Sequence, residues 1–274
     1  MRDAVAVPVR DRIAAFRRAS ALEAQVASLE ARLDHERLYP LEWVSRRIRD
    51  RFGYTVLRGP FAGLRYPQHL ALAIEAYPAK LLGTYEEELH AAVEEFVLTE
   101  PTTVVNIGAS DGYYAVGLAC RLPGAVVHAF DTNEAHHPVL REVAAENEVG
   151  DRLRIGGECD ATTLETVLQA SDTRGGALVV SDCEGCEAAV LDPERAPSLA
   201  TSSLLIECHD LIHDGITSTL EHRFGSTHAI ELISTRPRWI CDHPELSFLP
   251  VVTQIMAIHE YREGPMHWMF ARPR

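Results

Sequence analysis

A cluster of small and acidic residues sits where a strand-like run gives way to a helical one: Val104-Val105-Asn106-Ile107-Gly108-Ala109-Ser110-Asp111-Gly112-Tyr113. Glycine at 108 permits a sharp backbone turn, and glycine at 112 lets a ligand approach the helix start closely. The next strand-like run, Val127-His128-Ala129-Phe130, ends in Asp131-Thr132. An acid 23 residues beyond the first glycine is placed to accept both hydroxyls of an adenosine ribose. Two more aliphatic runs also end in reactive side chains. Ala177–Ser181 leads to Asp182-Cys183, and Leu204–Cys208 contains Glu207 and leads to His209 and Asp210. Glu207 and His209 are two apart and face the same way while the segment stays extended. His209, with an ordinary pKa of about 6.5, is the candidate general base. Asp182, Glu207 and Asp210 are candidate ligands for Mg2+, or for another divalent metal if the imidazole joins them.

The glycine spacing bears on which nucleotide is bound. Dinucleotide turns favour G-x-G-x-x-G with the helix dipole facing a pyrophosphate. Here Gly108 and Gly112 are four apart with Ser110 between them, and Asp111 beside the helix start repels a diphosphate. An acidic turn suits a phosphate-free cation, and S-adenosylmethionine, with its sulfonium and α-amino group, fits that description. A nicotinamide-dependent oxidoreductase is the alternative enzyme, and a non-catalytic scaffold on the same fold is the alternative to an enzyme.

From Gly59 onward the chain resembles the class I methyltransferases, and more narrowly their FkbM-like group. The resemblance is carried by Gly59-Pro60-Phe61-Ala62-Gly63-Leu64, by Lys80-Leu81-Leu82-Gly83-Thr84-Tyr85-Glu86-Glu87-Glu88-Leu89 and by the Asn106–Tyr114 turn. It continues in Asp182-Cys183-Glu184-Gly185-Cys186-Glu187, similar to a D-x-E-G-x-E pattern, and in Glu207-Cys208-His209, similar to a strand-end E-x-H. The resemblance implies that Asn106, Gly108, Ala109, Ser110, Asp111 and Gly112 hold the methionine end of the cofactor. It implies that Asp131, with Thr132 beside it, takes the ribose, and that Glu158, Cys159 and Asp160 flank the adenine. Asp182, followed by Cys183, would lie beside the methyl group, and Tyr85 would approach from the preceding helix. Asn106 departs from the family, which usually has an acid there; Asp111 is the candidate to compensate. Hydroxyls of secondary metabolites or sugars are the acceptors that the resemblance implies. In the final loop, Arg262 and His267 are candidate acceptor contacts. Arg262 suits a carboxylate or phosphate, with a surface ion-pair network as the alternative reading.

The elements needed to position these residues are legible as an alternation. Strands at Val104–Ile107, Val126–Phe130, Arg152–Ile155, Ala177–Ser181 and Leu204–Cys208 alternate with helices at Tyr113–Arg121, Ala135–Asn147, Leu164–Ala170 and from Ala188. This rhythm predicts an α/β fold with a doubly wound, mostly parallel sheet, and the resemblance implies seven strands. Ala229–Ser234 and Met266–Ala271 are the expected closing strands. A helix over Tyr85–Leu98 is expected, with Thr84 as its N-cap. Three segments follow: an N-terminal helical extension over 1–50, a connecting region with the cofactor-capping helix over 51–98, and the catalytic domain over 99–274. Leu22, Val26, Leu29 and Leu33, at 4-3-4 spacing, suit either pairing with a second copy, giving a homodimer, or packing on the same domain. Pro40 is read as the end of that helix.

Composition sets outer limits. The 274 residues contain 26 basic and 40 acidic side chains, a net charge of −14, which disfavours a nucleic-acid backbone as partner. The hydrophobic share of 46% comes without an apolar run long enough to span a membrane and without a signal-peptide core, so no membrane partner and a cytoplasmic location are expected. Six cysteines, including Cys183-x-x-Cys186, are expected as free thiols in a reducing compartment. Lys80 is the only lysine, read as part of a bias towards arginine.

Overall fold

Aliphatic runs that stay buried along their whole length need cover on both faces, as parallel strands do. In the computed structural model, which describes residues 25–26, 40–70, 76–170, 176–262 and 264–274, these runs form such strands. They are β1 (Thr103–Ile107), β2 (Val126–Phe130), β3 (Leu153–Gly156), β4 (Ala177–Ser181) and β5 (Ser203–Cys208), followed by β6 (His228–Ser234) and β7 (His267–Pro273). Their order across one sheet is β3-β2-β1-β4-β5-β7-β6. The first five pair in parallel, and β7 runs antiparallel to both β5 and β6. The architecture is the doubly wound, mostly parallel sheet that the alternation predicts, with the seven strands that the resemblance implies.

The helices are α1 (Pro40–Phe52), α2 (Tyr77–Leu82), α3 (His90–Leu98), α4 (Tyr113–Arg121), α5 (His136–Glu146), α6 (Ala161–Ala170), α7 (Glu187–Val190), α8 (Ile216–Phe224) and α9 (Val251–Ile258). Strand periodicity sorts the core into two layers. Val104, Val127, Leu178, Val180, Leu205, Trp268 and Phe270 face one way, onto buried residues of α1 to α5 and α9. Val105, Ile107, Val179, Leu204, Ile206 and Met269 face the other way, onto α6, α7 and α8. Adjacent residues of one strand thus belong to opposite cores, so a one-residue slip in register would exchange them.

Two local expectations change, while the residues just ahead of Pro40, whose helix it is read to end, lie outside the described ones. Pro40 is the first residue of α1, where its fixed φ and missing N–H are tolerated, and Val44 and Ile48 of this helix are fully buried. The helix expected from Tyr85 starts at His90, after a single tight turn over Glu87–Leu89. Thr84 does not cap it: its hydroxyl donates to the Ala79 carbonyl, while Glu86 takes a left-handed φ of 48° and its N–H donates to the Glu260 carboxylate. Tyr85 therefore lies in a turn. The heptad-like segment falls outside the described residues except for Gln25 and Val26, which are helical. Among the described residues, no helix is long and apolar enough to cross a membrane.

Candidate functional site

After β1 the chain winds out to β2 and β3, then returns to β4 on the other side of β1, so a crevice opens beyond the carboxyl ends of β1 and β4. Gly108 turns the chain there with φ +80°, and a Cβ on it would lie 1.6 Å from the Asp182 carbonyl oxygen. The Gly108 and Ala109 N–H groups both donate to the Phe130 carbonyl, at 2.9 and 3.0 Å. Asp131 receives the Ser110 N–H on one carboxylate oxygen (2.7 Å) and the Asn133 N–H on the other (2.8 Å). The ends of β1 and β2 are thereby tied together. Gly112 serves packing rather than ligand approach, because a Cβ there would meet Val116 and Leu140 side chains at 3.0 and 3.1 Å.

A cavity of about 950 Å3 runs along this edge. Of the expected cofactor contacts, Tyr85, Gly108, Ser110, Asp131, Thr132, Glu158, Cys159, Asp160, Asp182 and Cys183 line it. Four do not: Asn106, Ala109, Asp111 and Gly112 are buried beneath the turn. Asn106 is 2% exposed and its side-chain oxygen has no hydrogen-bond partner. Asp111 does not compensate for it. Its carboxylate is taken by Lys80 at 2.5 Å and by the Tyr113 N–H at 3.1 Å, which spends its charge inside the fold. Lys80, 5% exposed, lines the cavity and lies 4.9 Å from the centre of the Tyr85 ring and 5.9 Å from that of Tyr113.

At the other end of the cavity, β4 and β5 bring Asp182, Glu207 and His209 together, with one ligand atom from each lying within 4.8 Å of the others. Asp210 is not among them. It receives the Thr217 N–H near the start of α8, and His267, expected as an acceptor contact, bonds the Thr217 hydroxyl outside the cavity lining. His209 is 2% exposed, and its Nδ1 donates to the fully buried Glu187 at 2.6 Å. Its Nε2 faces Asp182 and Glu184 at 3.5 Å and Glu207 at 3.8 Å. Burial pulls the imidazole pKa down, but the Glu187 hydrogen bond and the surrounding carboxylates outweigh it and hold it above the ordinary value. Glu187 also receives the N–H groups of Cys183 and Gly185, and so fixes the turn between β4 and α7. Cys183 and Cys186, expected as free thiols, are joined by a disulfide across this turn, their Cα atoms 5.6 Å apart.

Arg262 lines the cavity but is already engaged by carboxylates. It pairs with Glu207 through Nη1, with Glu86 through Nη2 at 2.6 Å and with Glu260 through Nε at 2.9 Å. Arg238 extends the network to Glu88 and Glu260. Lys80, Glu86, Glu187, Glu260 and Arg238 went unassigned in the sequence reading, although Glu187 closes the D-x-E-G-x-E motif. Burial raises Glu86 to about 8, with Glu207 adding to it and Arg262 opposing. Burial and the Glu86 charge raise Asp182 to about 7, and burial and Asp182 raise Glu207 to about 8. An unfolded chain releases these protons near pH 4–5, whereas the folded one holds them, so stability declines as pH rises from about 5 to about 8. Thermal unfolding followed by circular dichroism in chelator checks this; a midpoint flat across that window would show the three acids ionised in the fold.

No family model matches the chain, and no curated protein matches it. Solved structures do. One is the O-methyltransferase TomG from Streptomyces achromogenes, involved in tomaymycin synthesis, in complex with SAM: 13% identity, 76% of this chain and 92% of that one covered, TM-score 0.45. Another is the O-methyltransferase from Bacillus cereus in complex with SAH: 14% identity, 74% and 97% covered, TM-score 0.42. A third is the precorrin-6y C5,15-methyltransferase from Geobacter metallireducens: 11% identity, 66% and 87% covered, TM-score 0.42.

Proposed function

We propose that this protein is an S-adenosylmethionine-dependent methyltransferase of the FkbM-like kind acting on a hydroxyl of a small molecule, a secondary metabolite or a sugar. One observation carries the reading: a single cavity holds both the Ser110–Asp131 corner and the Asp182–Glu207–His209 cluster. Asp131 Oδ2 accepts the Ser110 N–H and has His136 Nδ1 at 3.0 Å, while Oδ1, holding the Asn133 N–H alone, keeps a lone pair for a ribose hydroxyl. The acidic lining suits a cation without phosphate. When bound, the cofactor supplies an electrophilic methyl group. The chain's own residues align the acceptor beside it, exclude water and manage the acceptor's proton. Either His209 acts as base, held in one tautomer by Glu187, or a divalent metal at the same cluster activates the hydroxyl. Residues 1–50 are proposed to pair two copies of the chain, which sedimentation of the full chain tests.

Calorimetric titration with S-adenosylhomocysteine is the direct test, with NAD+ and NADH run beside it for the oxidoreductase alternative. Asp131→Ala removes a charge-assisted bond to the ribose contributing about 1.5–3 kcal/mol, so affinity falls about 10–100-fold. Asp131→Asn, which keeps an acceptor, loses less. Absence of binding by the unaltered protein, or an Asp131→Ala variant that binds as well as it does, rejects the cofactor assignment.

A further inference from the structure

We propose that Asp182, Glu207 and His209 form a binding site for one divalent transition-metal ion at the end of the cavity. Convergence of three donors is the first observation, and their orientation is the second. Each of two ligands has one polar atom tied to a buried partner and the other left for an ion. Glu187 accepts from His209 Nδ1, which leaves Nε2 facing Asp182 and Glu207, with the exposed Glu184 carboxylate at 3.5 Å beside them. Arg262 holds one oxygen of Glu207, and the second oxygen is the one that faces His209. A carboxylate behind an imidazole is the arrangement that fixes a metal-binding histidine in its tautomer and raises its basicity.

Charge leads to the same place. Among the described residues, the connected carboxyls Glu86, Glu88, Asp182, Glu207 and Glu260 share two guanidiniums, those of Arg238 and Arg262. A dication among Asp182, Glu207 and His209 would take the place of the protons that Asp182 and Glu207 otherwise retain, and it would stand between the imidazole and the carboxylates that face it at 3.5–3.8 Å. The donor set of two carboxylates and one imidazole favours Mn2+, Fe2+, Co2+ or Zn2+ over Ca2+ and Mg2+, which prefer oxygen alone. All three ligands lie at the ends of two neighbouring strands and line the cavity, so the remaining coordination positions open into it. The inference rests on the methyl-transfer reading only for the use of those positions: a hydroxyl held there would pass its proton to the Glu184 carboxylate in the cavity lining as its oxygen takes the methyl carbon and the sulfonium leaves as a thioether, and His209 would serve as a ligand rather than as the base.

Mn2+ is the probe, because the free ion has a strong paramagnetic resonance signal that disappears on binding. Full-length protein stripped with chelator and dialysed is titrated with Mn2+, while the same preparation is titrated calorimetrically with S-adenosylhomocysteine. One equivalent bound per chain is expected. Asp182→Asn and His209→Ala weaken binding by more than 100-fold, and Glu187→Gln, which touches no ion, weakens it about 10–100-fold. Circular dichroism establishes that each variant is folded; should His209→Ala fail to fold, Asp182→Asn, altering a side chain open to the cavity, decides. An undiminished free-ion signal with protein at hundreds of micromolar overturns the proposal. Binding that survives unchanged in Asp182→Asn overturns it too. Loss of Mn2+ binding with S-adenosylhomocysteine still bound rejects the metal alone, whereas the reverse rejects the cofactor reading and leaves the metal site standing.

Discussion

Gly108→Ala is expected to lower the thermal midpoint by about 10 °C and to abolish adenosine-ligand binding. The new methyl carbon would lie 1.6 Å from the Asp182 carbonyl oxygen, a backbone atom that cannot swing aside as a side chain can. That carbonyl belongs to the residue whose N–H bonds the Ile107 carbonyl at 2.9 Å, so moving it parts β1 from β4 at the crevice. A left-handed φ of +80° adds about 1–2 kcal/mol for any residue with a Cβ. Overpacking adds about 1–3 kcal/mol more, and in a domain of this size each kcal/mol moves the midpoint by about 2–4 °C. Differential scanning calorimetry with and without S-adenosylhomocysteine checks both parts. A variant that unfolds near the unaltered midpoint would mean that the turn has slack the geometry does not show. As an internal comparison, Gly157→Ala is expected to be nearly neutral, because a Cβ there meets nothing within 4 Å.

Lys80→Met is expected to destabilise the protein by about 3–5 kcal/mol. Removing one partner of a buried ion pair leaves the other without compensation, and that loss exceeds what the pair itself contributes. Asp111 is 5% exposed, and apart from Lys80 its carboxylate keeps only the Tyr113 N–H. Methionine fills much of the lysine volume, so little of the loss comes from a cavity. Adding Asp111→Asn to Lys80→Met is therefore expected to restore most of the stability, since an amide keeps the bond from Tyr113 without a charge. Urea unfolding of the two single variants and the double gives the coupling between the sites directly. Additive losses would show that the pair acts through packing on Tyr85 and Tyr113 instead.

These two positions illustrate what the sequence made legible. Gly108 announced itself, since a glycine between an aliphatic run and a helical one has few other uses. The strands were legible for a related reason: residues buried on both faces are aliphatic throughout, and such runs are conspicuous. Asp131 was found from its distance along the chain. Lys80 was not, because its role depends on Asp111, 31 residues away and read as a cofactor contact. The start of α3 was misplaced for the same kind of reason. Thr84 and the acidic run after it satisfy every local rule for a helix start, yet Glu86 bonds Arg262 and Glu260 from the far end of the chain, and these contacts prevail. Arg262 and His267 read alike as loop residues near an acceptor. Only the packing of β7 beside β5, which places His267 opposite Cys208, separates their fates.

The burial of Lys80 has a practical side. It is the only side-chain amine among the 274 residues, and it lies in the wall of the cavity against two tyrosine rings. An amine-reactive ester therefore has one internal target, shielded by its ion pair and sited where a ligand would cover it. The rate at which Lys80 is acylated, followed by mass spectrometry, reports how often this corner of the molecule opens. A ligand seated in the cavity would slow that rate without any need to know in advance which reaction the protein performs.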